Sequence, residues 1–213
     1  MTNDDTYKDG LFRRNAVLSE GMVIAPVVVL CDTLQKALLL SLEFVIVTVL
    51  TVFLGSFYPR KLPYAFRVIL YVLTASLLYI PSALLCEYLS PSTYAALSEM
   101  QLPGLGMVSG AAFMYLPLLS VNSFIVLHSE LHFYQYRRWK MLGVLTAHAA
   151  GFTLAACLTG ALREILAHGT FFGFAVDMPI VMQGLAAPWG GFILLGVLCA
   201  LHRVFTRKDQ EEE

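Results

Sequence analysis

The chain has 213 residues, 58% of them hydrophobic and only 14% charged, with a formal net charge of -1 and a mean hydropathy of +0.70. Soluble domains carry roughly 25% charged residues, so a water-soluble globular domain is excluded, and the near-zero net charge gives no footing for a nucleic-acid partner. The polar, acid-containing residues 1–10 lack the basic-then-apolar order and small-residue cleavage site of a signal peptide.

Six apolar stretches follow the cytoplasmic segment 1–14, at 16–30, 38–57, 68–85, 104–127, 141–166 and 188–204. A hydrocarbon core of ~30 Å needs about 20 helical residues, and the first stretch falls short of that. It also carries Ser19, Glu20 and Pro26, and Cys31, Asp32 and Thr33 follow at once. It reads as a broken or half-crossing helix, because proline interrupts the hydrogen-bond ladder and bare backbone at membrane depth needs protein or water around it. The alternative is a tilted, slightly short helix whose polar end reaches the headgroups. The second stretch carries Glu43, and Glu20 and Glu43 both read as near-interface residues reaching for water, with a functional role as the alternative for each. The fourth contains Pro117, Asn122 and Ser123 and ends in His128, Glu130 and His132, two imidazoles on one face of a wet juxtamembrane stripe. Tyr134, Tyr136, Arg137, Arg138, Trp139 and Lys140 continue it as an interfacial anchor. In the fifth, His148 reads as hydrogen-bonded to a neighbouring helix, and Arg163 and Glu164, adjacent and therefore unlike in direction, as binding helix ends or a loop. Gly104, Gly106, Gly110, Gly143, Gly151 and Gly160 mark close helix contacts. The loop 167–183 is too polar for a span and reads as a cap dipping back toward the lipid, and 207–213 as a charged, disordered tail.

Basic residues orient these stretches. With the N-terminus inside, Lys8, Arg13, Arg14, Arg60, Lys61, Arg67, Arg137, Arg138, Lys140, Arg203, Arg207 and Lys208 all fall inside, leaving only Lys36 and Arg163 of the 14 outside. Basic segments resist translocation, so the expected topology is N-in and C-in. Ala25-Pro26 through Cys31-Asp32 pairs with Leu116-Pro117 through Asn122-Ser123, 91 residues on. Three spans per half invert the second half, so the expected fold is an all-α membrane protein of six helices. These form two inverted three-helix repeats, about 15–88 and 104–206, each with a broken first helix. In such folds the working site lies near the midplane where the breaks meet, here 26–33 facing 117–123. Asp32, Cys31, Thr33, Asn122 and Ser123 are the candidate ion path, because an anionic oxygen beside unwound carbonyls suits a small hard cation or a proton. Cys31, Cys86, Cys157 and Cys199 form no metal-ligand spacing and read as apolar fillers, with a redox role weighed for Cys31 alone.

The stretch from Gly160 through Arg163, Glu164 and Gly169 to Gly173 resembles the G-x-[LV]-R-E-[IL]-[IL]-G-x-G-x-[LF]-F-G signature of the six-span subunits of Rnf and Nqr complexes, with Ala167 where the family has Gly. Asn15 followed by Pro26, and Pro117, Asn122 and Glu130, match further family positions. The resemblance covers about 11–206, and an N-in topology favours the RnfE/NqrD type. It implies a bacterial or archaeal cytoplasmic membrane, an oppositely oriented RnfA/NqrE-like partner and other Rnf/Nqr-type subunits. It also implies a [2Fe–2S] cluster held by two cysteines from each of two subunits, in a complex coupling ferredoxin or NADH oxidation to Na+ or H+ movement. The family's cysteines align with Ala25 and Ser123, and a methyl group and a hydroxyl are no substitute for thiolates. No cofactor or metal is therefore expected here. Val144-Leu145 likewise replaces the family's Asp-Gly. Gly160, Arg163, Glu164, Gly169, Glu130, Pro26 and Pro117 carry the signature and read as structural. No catalytic constellation appears in the chain. A cluster-free paralogue moving ions or small solutes, or serving assembly alone, is the alternative.

Overall fold

The computed structural model describes residues 11, 15–97, 99–102, 106–109, 115–120, 122–131, 134, 136–176 and 181–211, with side chains at all but 99–102, 106–109, 131 and 207–211. His132, Gly104, Gly110, Lys8, Arg13 and Arg14 lie outside the described residues.

A turn at 16–20 leads to α1 (Ile24–Leu30), and then come α2 (Leu34–Gly55), α3 (Tyr64–Leu89) and α4 (Pro91–Leu97). Strands β1 (Glu99–Leu102) and β2 (Gly106–Ser109) form an antiparallel hairpin with Glu99 opposite Ser109. A 3-10 turn (Pro117–Leu119) precedes α5 (Ser123–Leu131), and α6 (Arg138–Arg163) runs on through a π turn (Glu164–His168). A second hairpin pairs β3 (Thr170–Phe171) with β4 (Phe174–Ala175), and a 3-10 turn (Gln183–Ala186) leads into α7 (Pro188–Glu211). Among the described residues, four helices are long and apolar enough to cross a membrane: Leu34–Gly55, Tyr64–Leu89, Arg138–His168 and Pro188–Thr206.

Several expectations are corrected. Among the described residues the chain is mostly helical, with two short hairpins between the helices. The fourth stretch, 104–127, read as a helix broken at Pro117, is divided before that point as well. Pro103, Gly104, Gly106 and Gly110 disfavour helix there, and the chain instead forms a strand pair, a 3-10 turn at Pro117 and a nine-residue helix. The tail expected to be disordered continues the backbone of α7 as far as Glu211. The first stretch yields only the seven residues of α1.

Helix α2 is the hub. It packs most on α6 and α3 and also touches α1, α4 and α5. Phe44 stacks on Phe152 of α6 at 3.8 Å between centroids and tilts against Phe124 of α5 at 5.9 Å. Across α3 and α7, by contrast, large apolar side chains such as Leu77, Ile80, Phe192 and Val197 are exposed. In lipid those faces are already solvated, so the bundle needs a tight interior only around α2.

Candidate functional site

The break between α1 and α2 is held from α6. Arg163, 0% exposed, donates from Nη1 to the Val28 (2.6 Å) and Cys31 (3.0 Å) carbonyls at the end of α1. Its Nε donates to Leu185 O (3.0 Å), and Nη2 to Ala186 O (2.8 Å) and Ala187 O (3.4 Å), ahead of α7. The terminal carbonyls of a helix have no partner within it, and a guanidinium is a fork of five donors that cannot be deprotonated. Glu164 takes the opposite end. Its Oε2 accepts from Leu34 N (2.8 Å), an orphan amide at the start of α2, and its Oε1 accepts from Gly173 N (2.8 Å) and Thr170 Oγ1 (3.3 Å). Phe172 and Gly173 both have positive φ, at 53° and 82°. This is the pattern of a two-residue I′ hairpin turn, and it aims the Gly173 amide at the carboxylate.

Three glycines let these elements close. A Cβ on Gly160 would lie 2.8 Å from Thr33 O and from Ala37 Cβ. One on Gly191 would meet Arg163 Cζ and Val28 O at 3.1 Å, and one on Gly190 would clash with Gly184 O. Asn15 binds the first turn to α6 through Nδ2 to Gly151 O (2.7 Å), while its Oδ1 accepts from Val17 N and Leu18 N.

At the break, Asp32 Oδ2 pairs with Lys36 Nζ at 2.8 Å, and its buried Oδ1 has no hydrogen-bond partner among the described residues. Cys31 is buried beside it, and Thr33 caps α2 through Oγ1 to Lys36 N at 3.4 Å. Cys31, Asp32 and Thr33 are thus brought together with Arg163. Asn122 and Ser123 are not part of that cluster. Asn122 donates from Nδ2 to Leu119 O (2.6 Å) and accepts on Oδ1 from Ile125 N (2.9 Å), which makes it the local cap of α5, and Ser123 is exposed. Ser120 Oγ donates to Pro117 O at 2.6 Å. The neighbours on which α1 packs most are α7 and α2, while the 3-10 turn at Pro117 packs on α3. The first break is therefore closed by Arg163. Ala25 is half-buried on α1 next to buried Pro26.

Glu130 accepts from Arg67 Nε (3.0 Å) and Nη2 (2.6 Å) and from Tyr71 Oη (2.7 Å), joining α5 to α3 beside a cavity of about 200 Å3. Arg60 donates to the Tyr134 carbonyl, Arg138 lies 4.4 Å over the Phe57 ring and Lys140 5.1 Å over Tyr136. Trp139 is 85% exposed, so the aromatic and basic cluster forms a collar at this end of the bundle. His128 is not on a wet stripe. It is buried, stacks on Phe124 at 4.4 Å, lies 5.2 Å from His148 and pairs with Glu20 at 3.3 Å. The turn at 16–20 folds back onto α5, a long-range contact with no local signal. His148 bonds through Nδ1 to Val144 O within its own helix (3.1 Å). Glu43 is also misplaced by the near-interface reading, being wholly buried within α2.

The family model described as "Rnf-Nqr subunit, membrane protein" matches residues 5–199. The E subunit of the ion-translocating oxidoreductase complex of Haemophilus ducreyi is 23% identical over 215 residues, 94% of this chain and 88% of that protein. The protein of the same name from Shewanella baltica is 25% identical over 221 residues, 96% of this chain and 88% of its own length.

Proposed function

Because this chain belongs to the Rnf-Nqr family of membrane subunits, we propose that it is a subunit of an ion-translocating oxidoreductase complex coupling electron transfer from ferredoxin or NADH to Na+ or H+ movement. The observation that carries this reading is its similarity, along 94% and 96% of its length, to proteins named as the E subunits of such complexes. Its companions are then an RnfA/NqrE-like subunit of opposite orientation and other subunits of the assembly. The apolar side chains exposed on α3 and α7 suit lipid or those subunits.

The fold reading that accompanies it is six passages in two inverted repeats, about 15–88 and 104–206, with α1 and the Pro117–α5 segment as the interrupted first helix of each. The orientation is N-in and C-in, in a cytoplasmic membrane. Supporting it, Arg60, Arg67, Arg138 and Lys140 gather around the Tyr134 end, whereas Lys36 and Arg163 lie at the α1–α2 break. Asp32, with one carboxylate oxygen unpartnered among the described residues beside Cys31 and Thr33, is the candidate ion-path group.

The family cluster does not fit this chain. The two aligned positions carry the Ala25 methyl and the Ser123 hydroxyl, the wrong donors for iron that takes thiolates, so the chain contributes scaffold and ion path without cluster ligands. The tagged chain, recovered from native membranes, should bring down an RnfA/NqrE-like subunit, and the chain purified away from its companions should carry no iron. Capture without any Rnf/Nqr-type subunit overturns the complex, and stoichiometric iron with a [2Fe–2S] absorption band overturns the missing ligands.

A further inference from the structure

Glu43 is 0% exposed, and neither carboxyl oxygen has a hydrogen-bond partner among the described residues. It stands near the middle of α2, about 14 Å along the axis from Leu34 and about 18 Å from Gly55 at 1.5 Å per residue. The titratable groups facing it come from two elements. Tyr79 and Cys86 of α3 and Tyr94 of α4 lie within electrostatic reach. Burial pushes the Tyr94 phenol up to about 12, with the charge on Glu43 as the next cause and Glu87 behind it. Among the described residues of the other elements packed on α2, the Cys157 thiol of α6 lies near Ser41. α1 has no titratable side chain, and α5 and α6 direct His128 and His148 to Phe124, which contacts Phe44. Phe44 is the next residue along, about 100° around the helix from Glu43.

An ionised carboxylate in such surroundings is costly unless paired, and the ion pairs among the described residues use Glu20, Asp32 and Glu130. A metal cation draws several oxygens at once, whereas a proton needs one. We propose that Glu43 is a proton-binding site, a carboxyl that takes up and releases one proton near the middle of a membrane-spanning helix. Tyr79 and Tyr94 are the hydroxyls within electrostatic reach of its ionised form. On release the O–H bond of the carboxylic acid breaks, its electron pair stays on the carboxylate, and the proton passes to water. The site is separate from Asp32 at the α1–α2 break and does not rest on membership of a redox complex.

Infrared spectra of the full chain in lipid vesicles test it. At about pH 6, where exposed Asp and Glu are ionised, one protonated-carboxyl band per chain should appear, shift in D2O and fade as the pH is raised. Glu43→Gln should abolish that band and Glu43→Asp should move it; if the glutamine variant does not insert, the aspartate variant carries the assignment. The proposal is overturned if no band answers to Glu43, or if its band neither exchanges nor titrates up to about pH 10. It is equally overturned if replacing choline by Na+ at constant pH removes the band, since the site then takes the metal ion.

Discussion

At the scale of single residues, Arg163 and Glu164 do most to fix the α1–α2 break. Arg163 donates to five carbonyls. Lysine keeps the charge but has three donors and no planar fork. Arg163→Lys should therefore leave carbonyls unpaired and destabilise the fold by about 2–4 kcal/mol, read as a lower unfolding midpoint in detergent. Unchanged stability would show that the carbonyls find other partners. Glu164→Gln replaces one acceptor oxygen by a donor facing either Leu34 N or the Gly173–Thr170 side, so a smaller loss, about 1–2 kcal/mol, is expected in the same assay. That two adjacent ionisable residues must point to different partners is legible in the sequence, because neighbours on a helix differ by about 100°. Which ends they bind is not, since Val28 and Leu185 come from distant parts of the chain. His128 shows the same limit. Its i, i+4 relation to His132 suggests a surface stripe, but its environment is set by Phe124, Glu20 and His148, and Glu20 and His148 lie on distant parts of the chain.

Among elements, the contact of α6 with the break depends on backbone approach. Gly160 admits Thr33 O and Ala37 Cβ to 2.8 Å of where its own Cβ would stand, and one of these is backbone that cannot swing aside. Gly160→Ala should force α6 from α2 and cost about 1–3 kcal/mol, while Gly196→Ala, with nothing within 4 Å, should leave the unfolding midpoint near that of the native chain. Equal effects of the two would mean that helix propensity, not packing, decides. The long helices are legible because continuous apolar runs of about 20 residues leave few options in lipid. The N-terminal ends of α2, α3 and α6 lie outward of the apolar runs. α2 begins at Leu34 because Thr33 and Glu164 cap it, and α3 begins directly after Pro63. The fourth stretch misleads for the opposite reason. Its hydrophobicity suffices for a span, but proline and glycine chemistry divides it, and hydropathy does not register that.

For the whole molecule, the distribution of cations and the packing agree on which ends of the helices belong together. The α2–α3 loop, the end of α5 and the start of α6 are tied by Arg60 to Tyr134, Arg67 to Glu130 and Arg138 to Phe57. The turn at 16–20 reaches the same end through Glu20 and His128. The opposite end holds the β3–β4 hairpin, where Phe174 is 76% exposed and the Gly173 amide bonds to Glu164. A strongly basic end stays on the cytoplasmic side, so the hairpin should face outward. In intact cells a membrane-impermeant maleimide should label Phe174→Cys and leave Lys61→Cys untouched, with both labelled after lysis. The native chain supplies the background, since Cys31 and Cys86 are buried and Cys157 and Cys199 partly so. Labelling of Lys61→Cys in intact cells would reverse the orientation. It would also set the topology of this chain against the RnfE/NqrD branch, to whose E subunits its sequence is similar.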